Sequence, residues 1–537
     1  MTGEFDRGSA VRRLRSDDFD VLVVGGGITG AGVALDAAAR GLRAALVERH
    51  DLASGTSSKS SKLVHGGFRY LQQREFRLVY EALYERQRVL DNAPHLVRVL
   101  PFLVPVLAHG GVIDRRFARL MGMALWAYDL TGGLRIGKRH ERVSIDEAVA
   151  HMPTLAPERL AGAYVLYDAQ ADDARLTLAI ARTAASRGAA VVNYASVVEF
   201  LKDDDLVVGA RVCVDGEEID VRATCVVNAA GVWADDVRAL DEGAHPASIR
   251  PAKGVHITLP WAKVANDIAA IVPVAADGRT VFVVPWGDFT YVGTTDTEYD
   301  GPLDDPHCTA TDVAYLLGAL NGIVREPLEA DDVVGAWAGL RPLLRGATRE
   351  RTADLSRRHA VRVSASGVVT VTGGKLTTYR RMAADAVDAA VKRFGWPVGG
   401  SQTKKLRLVG GAGFEAPALS LEPSEHDHLT GRYGTEATSV LALIRDMPEL
   451  AAPLVPGLPY LKAEAVRAVR DEMARTLPDV LERRTRARLL GREASADAAA
   501  DVASLIGPEL GWSEETARAE VDAYRASVAA ERGQLDS

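Results

Sequence analysis

The sequence predicts a mixed α/β protein in three parts: a doubly wound parallel-sheet core, an antiparallel sheet inserted into that core, and an all-helical C-terminal domain. Three observations lead there. A strand, a glycine cluster, a helix and a second strand follow one another over 19–48. Strand signals cluster between helical blocks through the middle of the chain. Composition then shifts near Val398-Gly-Gly400 to helical segments rich in Ala, Arg and Glu. The predicted parts are an N-terminal tail (1–18), a core with its insertion (19–399), and a helical domain (400–537). Within the second part the core takes about 19–92, 172–240 and 335–399.

In chain order, Asp20 to Val24 is a short apolar run, mostly β-branched, followed by glycines. Residues 28–40 carry Ala and Leu at helical density and stop at Gly41, a natural residue just past a helix end. Leu42 to Val47 is a second apolar run, ending on Glu48. This order is half of a doubly wound fold. Helical signals then dominate 75–92, 114–130 and 172–187. Strand signals dominate 190–200, 206–214, 219–229, 280–294 and 361–372. Beyond residue 400, helices are expected over 463–476, 479–490 and 513–532. Ser513 stands at the N-cap of the last, with Glu514 and Glu515 in its first turn.

Bulk numbers narrow the class. The 537 residues are 47% apolar and 25% charged, which excludes a disordered chain and allows a large core. A net charge of −8 gives no reason to expect a nucleic-acid partner. Cys213, Cys225 and Cys308 lack metal-like or redox-like spacing, so reduced thiols in a cytosolic protein are expected, with no metal site. Glu4, Asp6, Asp17 and Asp18 with no apolar run argue against a signal peptide. The longest apolar stretch, Leu96 to Ile113, is interrupted by Arg98, Pro101, Pro105 and His109, so no membrane-spanning helix is expected.

Gly25-Gly-Gly27-Ile-Thr-Gly30 is a G-x-G-x-x-G in the setting that gives it meaning, between a strand and a helix. Gly25 allows the tight turn, Gly27 lets the backbone approach a pyrophosphate, and Gly30 lets helix and strand pack closely. The helix N-terminus adds N–H groups and a positive dipole end. Glu48 closes the next strand, where its carboxylate can accept the ribose hydroxyls of an adenosine half. The core is therefore Rossmann-like. The segment from Ser54 to Tyr70 selects the cofactor. Its small hydroxyl residues, including Thr56, Ser57, Ser60 and Ser61 before Leu63, let backbone pass close to a pyrophosphate and a flavin ring. A nicotinamide enzyme has no need of such a segment, so the expected cofactor is FAD. Val226 to Ala234 is an apolar strand breaking at Gly231 into a turn suited to the far side of the dinucleotide. Thr372-Gly-Gly374-Lys375-Leu376-Thr377 is a glycine turn opening a helix. Lys375 and that helix end could stabilise the negative charge of a reduced flavin.

With these motifs on view, the sequence resembles the FAD-dependent glycerol-3-phosphate dehydrogenases of the D-amino-acid oxidase superfamily. The resemblance runs from about Phe19 to the C-terminal helices. It is carried by Gly25–Gly30, Ser57-Ser58, Ser60 to Leu71, Glu75 to Val79, Asp172 to Leu176, Val284-Pro-Trp286, Gly293-Thr-Thr-Asp296, Gly339-Leu-Arg-Pro-Leu343 and Gly373 to Arg380. It implies oxidation of sn-glycerol 3-phosphate to dihydroxyacetone phosphate by hydride transfer to FAD, with a membrane quinone as acceptor. It places Arg69, Arg341 and Arg357 on the substrate side, where guanidinium forks suit phosphate oxygens. It offers His65 and His256 as alternative bases for the C2 hydroxyl. Val197 and Asp296 join the implied cofactor contacts. The alternatives within the superfamily are an oxidase that uses oxygen, or an amine or amino-acid oxidase. A FAD-binding redox partner without turnover is the alternative of another class.

The acceptor implied by the resemblance would put the protein at a membrane surface. Between Val112 and Arg142, the basic residues Arg115, Arg116, Arg119, Arg135, Lys138, Arg139 and Arg142 outnumber Asp114, Asp129 and Glu141. Leu120, Met121, Met123, Leu125 and Trp126 are interleaved with them. Such a segment can lie in a bilayer interface, and a core helix with a solvated basic end is the alternative. The expected location is cytoplasmic, peripherally attached to the inner face of the cell membrane. Homodimerisation is left open.

Overall fold

In a computed structural model of the protein, which describes residues 5–67, 76–108, 126, 133–274, 277–345, 359–414 and 423–535, β1 (Phe19–Val24) lies at the centre of a parallel sheet. It pairs on one side with β2 (Ala44–Val47) and on the other with β10 (Glu217–Asn228). Beyond β2 lies β7 (Ala190–Val192); beyond β10 lie β18 (Val369–Gly373) and, antiparallel at the edge, β17 (His359–Val363). Parallel strands covered on both faces favour unbroken β-branched runs, which is why Val21 to Val24 reads as it does. Val21 and Val23 face one side, against α2 (Ile28–Ala39), α4 (Asp173–Ser186) and α6 (Tyr379–Phe394). Leu22 and Val24 face the other, which is covered by β8 (Ala195–Asp203) and β9 (Leu206–Val214). The predicted doubly wound core is thus present.

The N-terminal stretch expected as a tail folds in part. Residues Arg7–Ser16 form α1, with Asp6 at its N-cap. Ala10 and Leu14, one turn apart, are buried on the core sheet. A four-residue spacing in a short charged segment was enough to dock it.

The inserted sheet is mainly antiparallel, as expected, and has ten strands among the described residues. Next to one edge lies β11 (Ile249–Pro260), flanked by β14 (Phe289–Gly293) and by the edge strand β16 (Gly335–Leu344). The sheet continues through β13 (Thr280–Trp286), β12 (Ala269–Pro273), β4 (Val97–Leu107), β6 (Leu160–Ala171) and β3 (Leu63–Val64). The short β15 (Thr297–Glu298) and β5 (Glu141–Val143) close its margins. Of the longer strands in this sheet, the strand signals marked β13 and β14 and missed β4, β6, β11, β12 and β16. Pro101 and Pro105 disguise β4, yet they flank Phe102 and Leu103, where β4 pairs with β12, so few ladder N–H groups are lost. Within the expected helical stretch 75–92, Phe76–Asn92 form α3, and α5 (Ala310–Asn321) backs the inserted sheet. The helical signal at 114–130 lies outside the described residues apart from Trp126. Among those residues, no helix is long and apolar enough to cross a membrane.

The C-terminal region is helical: α7 (Pro423–Tyr433), α8 (Ala437–Asp446), α9 (Lys462–Glu472), α10 (Ala499–Leu510) and α11 (Glu514–Leu535). Ser513 caps α11 as expected, its hydroxyl accepting the Thr516 N–H at 3.1 Å. This region is not packed loosely on the rest. Asp51, at 0% exposure, accepts hydrogen bonds from Arg483 at 2.7 Å and Arg484 at 2.6 Å. Arg175 on α4 donates to Glu472 at 2.6 Å, and the Leu489 carbonyl accepts from Thr258 of β11 at 2.7 Å. Charges buried this way are tolerated only when their partners stay in place, so the interface is specific in geometry.

Candidate active site

A cavity of about 600 Å³ runs between the C-terminal ends of the core strands and one face of the inserted sheet. That edge of a doubly wound sheet, beside the strand where the order reverses, is where such folds take ligands. The turn after β1 forms one end. Gly25 has φ +108°, and a β-carbon there would sit 2.8 Å from the Ala229 carbonyl. Gly27 lines the cavity at the N-cap of α2, with Ser57 Oγ 3.1 Å from any added β-carbon. Gly30 lies behind the wall; a β-carbon would come within 1.9 Å of the Gly25 carbonyl. One N–H expected for a phosphate, that of Ile28, already donates to Ser57 Oγ at 2.9 Å.

Glu48 ends β2 on the cavity wall. Its carboxylate accepts the Gly26 N–H at 2.6 Å and the His50 N–H at 2.9 Å, while burial raises its pKa. Gly26 had drawn no role from the sequence. A β-carbon there would meet Leu52 at 2.7 Å and Glu48 at 2.8 Å, so this glycine brings the carboxylate against the turn. Thr56, Ser57, Ser60, Ser61 and Leu63 all line the cavity, and so do Val197 and Gly231. All three of these serine hydroxyls have partners: Ser57 accepts the Ile28 N–H, Ser60 donates to Asp173 at 2.7 Å, and Ser61 pairs with His256 Nε2 at 2.8 Å. Thr56 donates to the Leu340 carbonyl at 2.6 Å.

The opposite wall includes residues of β11, β13 and β16. His256 is 2% exposed and stacks on Trp337, its partner across the β11–β16 ladder. Burial, then the charges of Lys62 and Arg341, push its pKa well below the ordinary imidazole value. Arg341 donates to Thr294 Oγ1 at 3.0 Å and the Thr295 carbonyl at 3.2 Å, with the Asp296 carboxylate 3.5 Å away. Two glycines make the room. A β-carbon on Gly254 would lie 2.4 Å from the Arg341 guanidinium, and one on Gly293 would lie 2.0 Å from the His256 ring. These contacts explain the glycines at 254 and 293 in physical terms.

The third wall is the turn before α6. Gly373 and Gly374 have φ +75° and +81°, and Gly374, Lys375, Leu376 and Thr377 all face the cavity. Thr377 Oγ1 accepts the His65 N–H at 3.1 Å, which fixes half-buried His65 on the same wall. Arg69 and Arg357 lie outside the described residues. The sequence reading missed Arg279 and Lys59, which also line the cavity. Arg279 sits in a loop with no motif and donates to the Asp296 carbonyl at 2.7 Å; burial lowers the Lys59 pKa. Among the described residues, no group of His, Cys, Asp and Glu could hold a metal.

The residues fit an extended dinucleotide with a flavin at one end. The glycine turn and the N-terminus of α2 suit a pyrophosphate, Glu48 suits a ribose, and the small serine loop leaves depth for a ring system. The imidazoles and guanidinium groups stand beyond it on the inserted sheet.

Comparison with known proteins agrees with this geometry. The family model described as FAD dependent oxidoreductase matches residues 20–380, and that described as the C-terminal domain of alpha-glycerophosphate oxidase matches 401–517. Glycerol-3-phosphate dehydrogenase 2 of Mycobacterium tuberculosis is 42% identical over 541 residues, covering 98% of this chain and 91% of that one. The human mitochondrial glycerol-3-phosphate dehydrogenase is 38% identical, over 96% of this chain and 74% of its own. The crystal structure of the glycerol-3-phosphate dehydrogenase of Bacillus halodurans complexed with FAD superposes with a TM-score of 0.78 at 30% identity, covering 99% of this chain and 98% of that one. The protein is an FAD-dependent oxidoreductase, and the chain belongs to the FAD-dependent glycerol-3-phosphate dehydrogenase family.

Proposed function

We propose that the protein oxidises sn-glycerol 3-phosphate to dihydroxyacetone phosphate and hands the electrons to a membrane quinone. One observation carries the reading: His65, His256, Arg341, Arg279 and Lys375 line a single cavity whose other end is the glycine turn. The substrate comes from the relatives, which are named for it.

When bound in the cavity, FAD supplies the acceptor for the hydride from C2 of the substrate. The chain's own residues do the rest. Gly25, Gly27 and Ser57 receive the pyrophosphate, Glu48 the ribose, and Val197 and Gly231 flank the adenosine half. Lys375 stands where negative charge on a reduced ring would be stabilised. Arg341 takes the substrate phosphate in its planar fork, with Arg69 and Arg357 as companions. His65, fixed through its backbone to Thr377, takes the C2-hydroxyl proton. His256, desolvated and held neutral, orients the substrate from the facing sheet.

The test is anaerobic. Bound flavin should bleach on adding glycerol 3-phosphate and not on adding glycerol at the same concentration. Reoxidation is then followed with a soluble quinone and with oxygen. No bleaching would sink the substrate assignment. Oxygen as acceptor is the second reading, favoured by the C-terminal family model, whose description names an oxidase. Reoxidation by oxygen as fast as by quinone would select it. The basic and apolar segment between Val112 and Arg142 is proposed as the contact with the inner face of the membrane. Its composition supports this, and most of it lies outside the described residues.

A further inference from the structure

We propose that Arg486, in the C-terminal helical domain, is a positioning residue for the serine loop of the cofactor site. The guanidinium of this 1%-exposed residue leaves its own domain. It donates to Asp172 Oδ1 at 2.8 Å, to Asp173 Oδ1, and to the Ser58 carbonyl at 3.2 Å. A further bond, to the Glu482 carbonyl at 3.1 Å, ties the group back to its own segment.

Asp173 is the hinge of the arrangement. Fully buried at the start of α4, it accepts the Ser60 N–H at 2.9 Å, the Ser60 hydroxyl at 2.7 Å and the Lys62 ammonium at 3.1 Å. Lys62 also donates to the Ser58 carbonyl, at 3.0 Å. Both ends of Ser58–Lys62 are therefore gripped by one buried knot of charges, and Arg486 is its member from the other domain. The loop has reason to need that grip. Lys62 has φ +55°, a left-handed conformation that a lysine does not choose by itself.

The free side of the same loop faces the site. Ser60 and Ser61 line the cavity, and Ser61 Oγ pairs with His256 Nε2 at 2.8 Å. The Tyr291 hydroxyl donates to the Ser61 carbonyl at 2.9 Å, and the Trp337 indole N–H donates to that of Ser60 at 3.3 Å. A shift of the loop on its charged side thus moves the wall that would meet the cofactor, and the hydroxyl that holds His256. The C-terminal domain reaches the chemistry through this contact, without lining the cavity itself. The inference rests on the reading of this cavity as the FAD site.

The experiment compares Arg486→Lys with Arg488→Lys in the full chain. Arg488 is the control: it bonds Glu482 at 2.6 Å and Glu531 at 2.9 Å, both within its own domain. Lysine at 486 keeps the charge but cannot serve several acceptors as the fork does. Both variants should lose some thermal stability. Only Arg486→Lys should raise the FAD dissociation constant, by about tenfold or more, because breaking a buried hydrogen-bonded charge network has effects of that order. In the flavin-free protein, amides of 56–62 should lose exchange protection in Arg486→Lys alone. If the lysine variant does not fold, Arg486→Gln is measured in its place; it keeps N–H donors for the Ser58 and Glu482 carbonyls. Equal flavin affinity and equal loop protection in the 486 and 488 variants would overturn the proposal. Failure of the cavity assignment itself shows differently: wild type would not bind FAD, or Gly27→Leu would still bind it.

Discussion

The His256 imidazole lies flat against the Trp337 indole, with ring centroids 4.7 Å apart and planes 7° apart. The register of β11 on β16 places the two residues directly opposite, and Gly293 on β14 leaves the space the imidazole occupies. Ser61 holds Nε2. The ring is thus fixed on three sides before any substrate arrives. Such fixing favours a residue that presents one tautomer in one direction.

His256 should remain neutral across the working range. Its folded pKa is depressed, first by burial and then by Lys62 and Arg341, so the folded protein resists the proton that the unfolded chain would bind near 6.5. Its contribution to stability is present above that value and is lost as pH falls below it. NMR of ring-labelled histidine should show no protonation of His256 between about pH 8 and about pH 6.5. A midpoint inside that window would contradict the assignment.

Gly27→Leu should give a folded but colourless protein. Gly27 has φ −72°, which any residue adopts, so the backbone is not strained. The new side chain would instead meet Ser57 Oγ, 3.1 Å from the β-carbon, and fill the approach to the α2 N-terminus. Visible absorbance and FAD released on denaturation measure the effect. Stoichiometric flavin in the variant would place the pyrophosphate elsewhere.

The features legible in the sequence are those where local backbone geometry restricts residue type. Gly25 to Gly30, the serine loop and the turn at Gly373–Gly374 belong to this kind, and each lines or supports the cavity. The features that stayed hidden depend on partners far along the chain. Asp51 meets Arg484 across more than four hundred residues, and nothing near either announces the pair. The His256–Trp337 stack follows from sheet register, which no short motif encodes. β4 was hidden by its own prolines, and Arg279 lies in a loop without pattern.

Acid should loosen both the docking of the C-terminal domain and its interior. Burial alone would raise the pKa of Asp51, but Arg484 and Arg483 outweigh it and bring it to about 2. Inside the C-terminal domain itself, burial likewise opposes the shift at Glu464, which His428 and Arg432 bring to about 2. Carboxylates depressed in the folded state stabilise it above their unfolded pKa, and that stability is lost as pH falls through the folded value. The window therefore runs from about pH 4.5 down to about pH 2. Urea titrations at stepped pH should show stability falling through that range. Asp51→Asn should be less stable at pH 6 and should show a shallower fall. A variant with an unchanged slope would remove Asp51 from the account.

Membrane recovery should depend on Arg115, Arg116 and Arg119. A basic residue near an anionic surface contributes about 1 kcal/mol. Replacing the three with Gln should shift the protein from the membrane fraction to the soluble one, most visibly at moderate salt. Unchanged fractionation would clear this segment of the role.

Arg341 gives the sharpest test of the substrate. A phosphate dianion removed from water needs charge-assisted hydrogen bonds, and the guanidinium fork supplies them in a plane. Truncating one partner of such a pair costs ~2–5 kcal/mol, because the other charge is left uncompensated. That corresponds to a loss of roughly thirty-fold to several thousand-fold in kcat/KM, at about tenfold per 1.4 kcal/mol. Arg341→Ala should therefore lose most activity on glycerol 3-phosphate while keeping its flavin. Activity on unphosphorylated glycerol should fall far less, since that substrate has no phosphate to hold. Arg341→Lys should recover only part. Gly254→Ala should imitate the loss with the arginine still present, because the new β-carbon would stand 2.4 Å from the guanidinium and displace it. Arg279 is close enough to share the load, since both guanidinium groups bond residues 294–296. Arg279→Ala should then weaken the phosphorylated substrate by a smaller factor, and the double variant should lose less than the two separate losses predict. The quantity to compare is the ratio of the two kcat/KM values in each variant. If Arg341→Ala lowers both substrates equally, the residue serves the cofactor or the fold, and the phosphate lies against other cations.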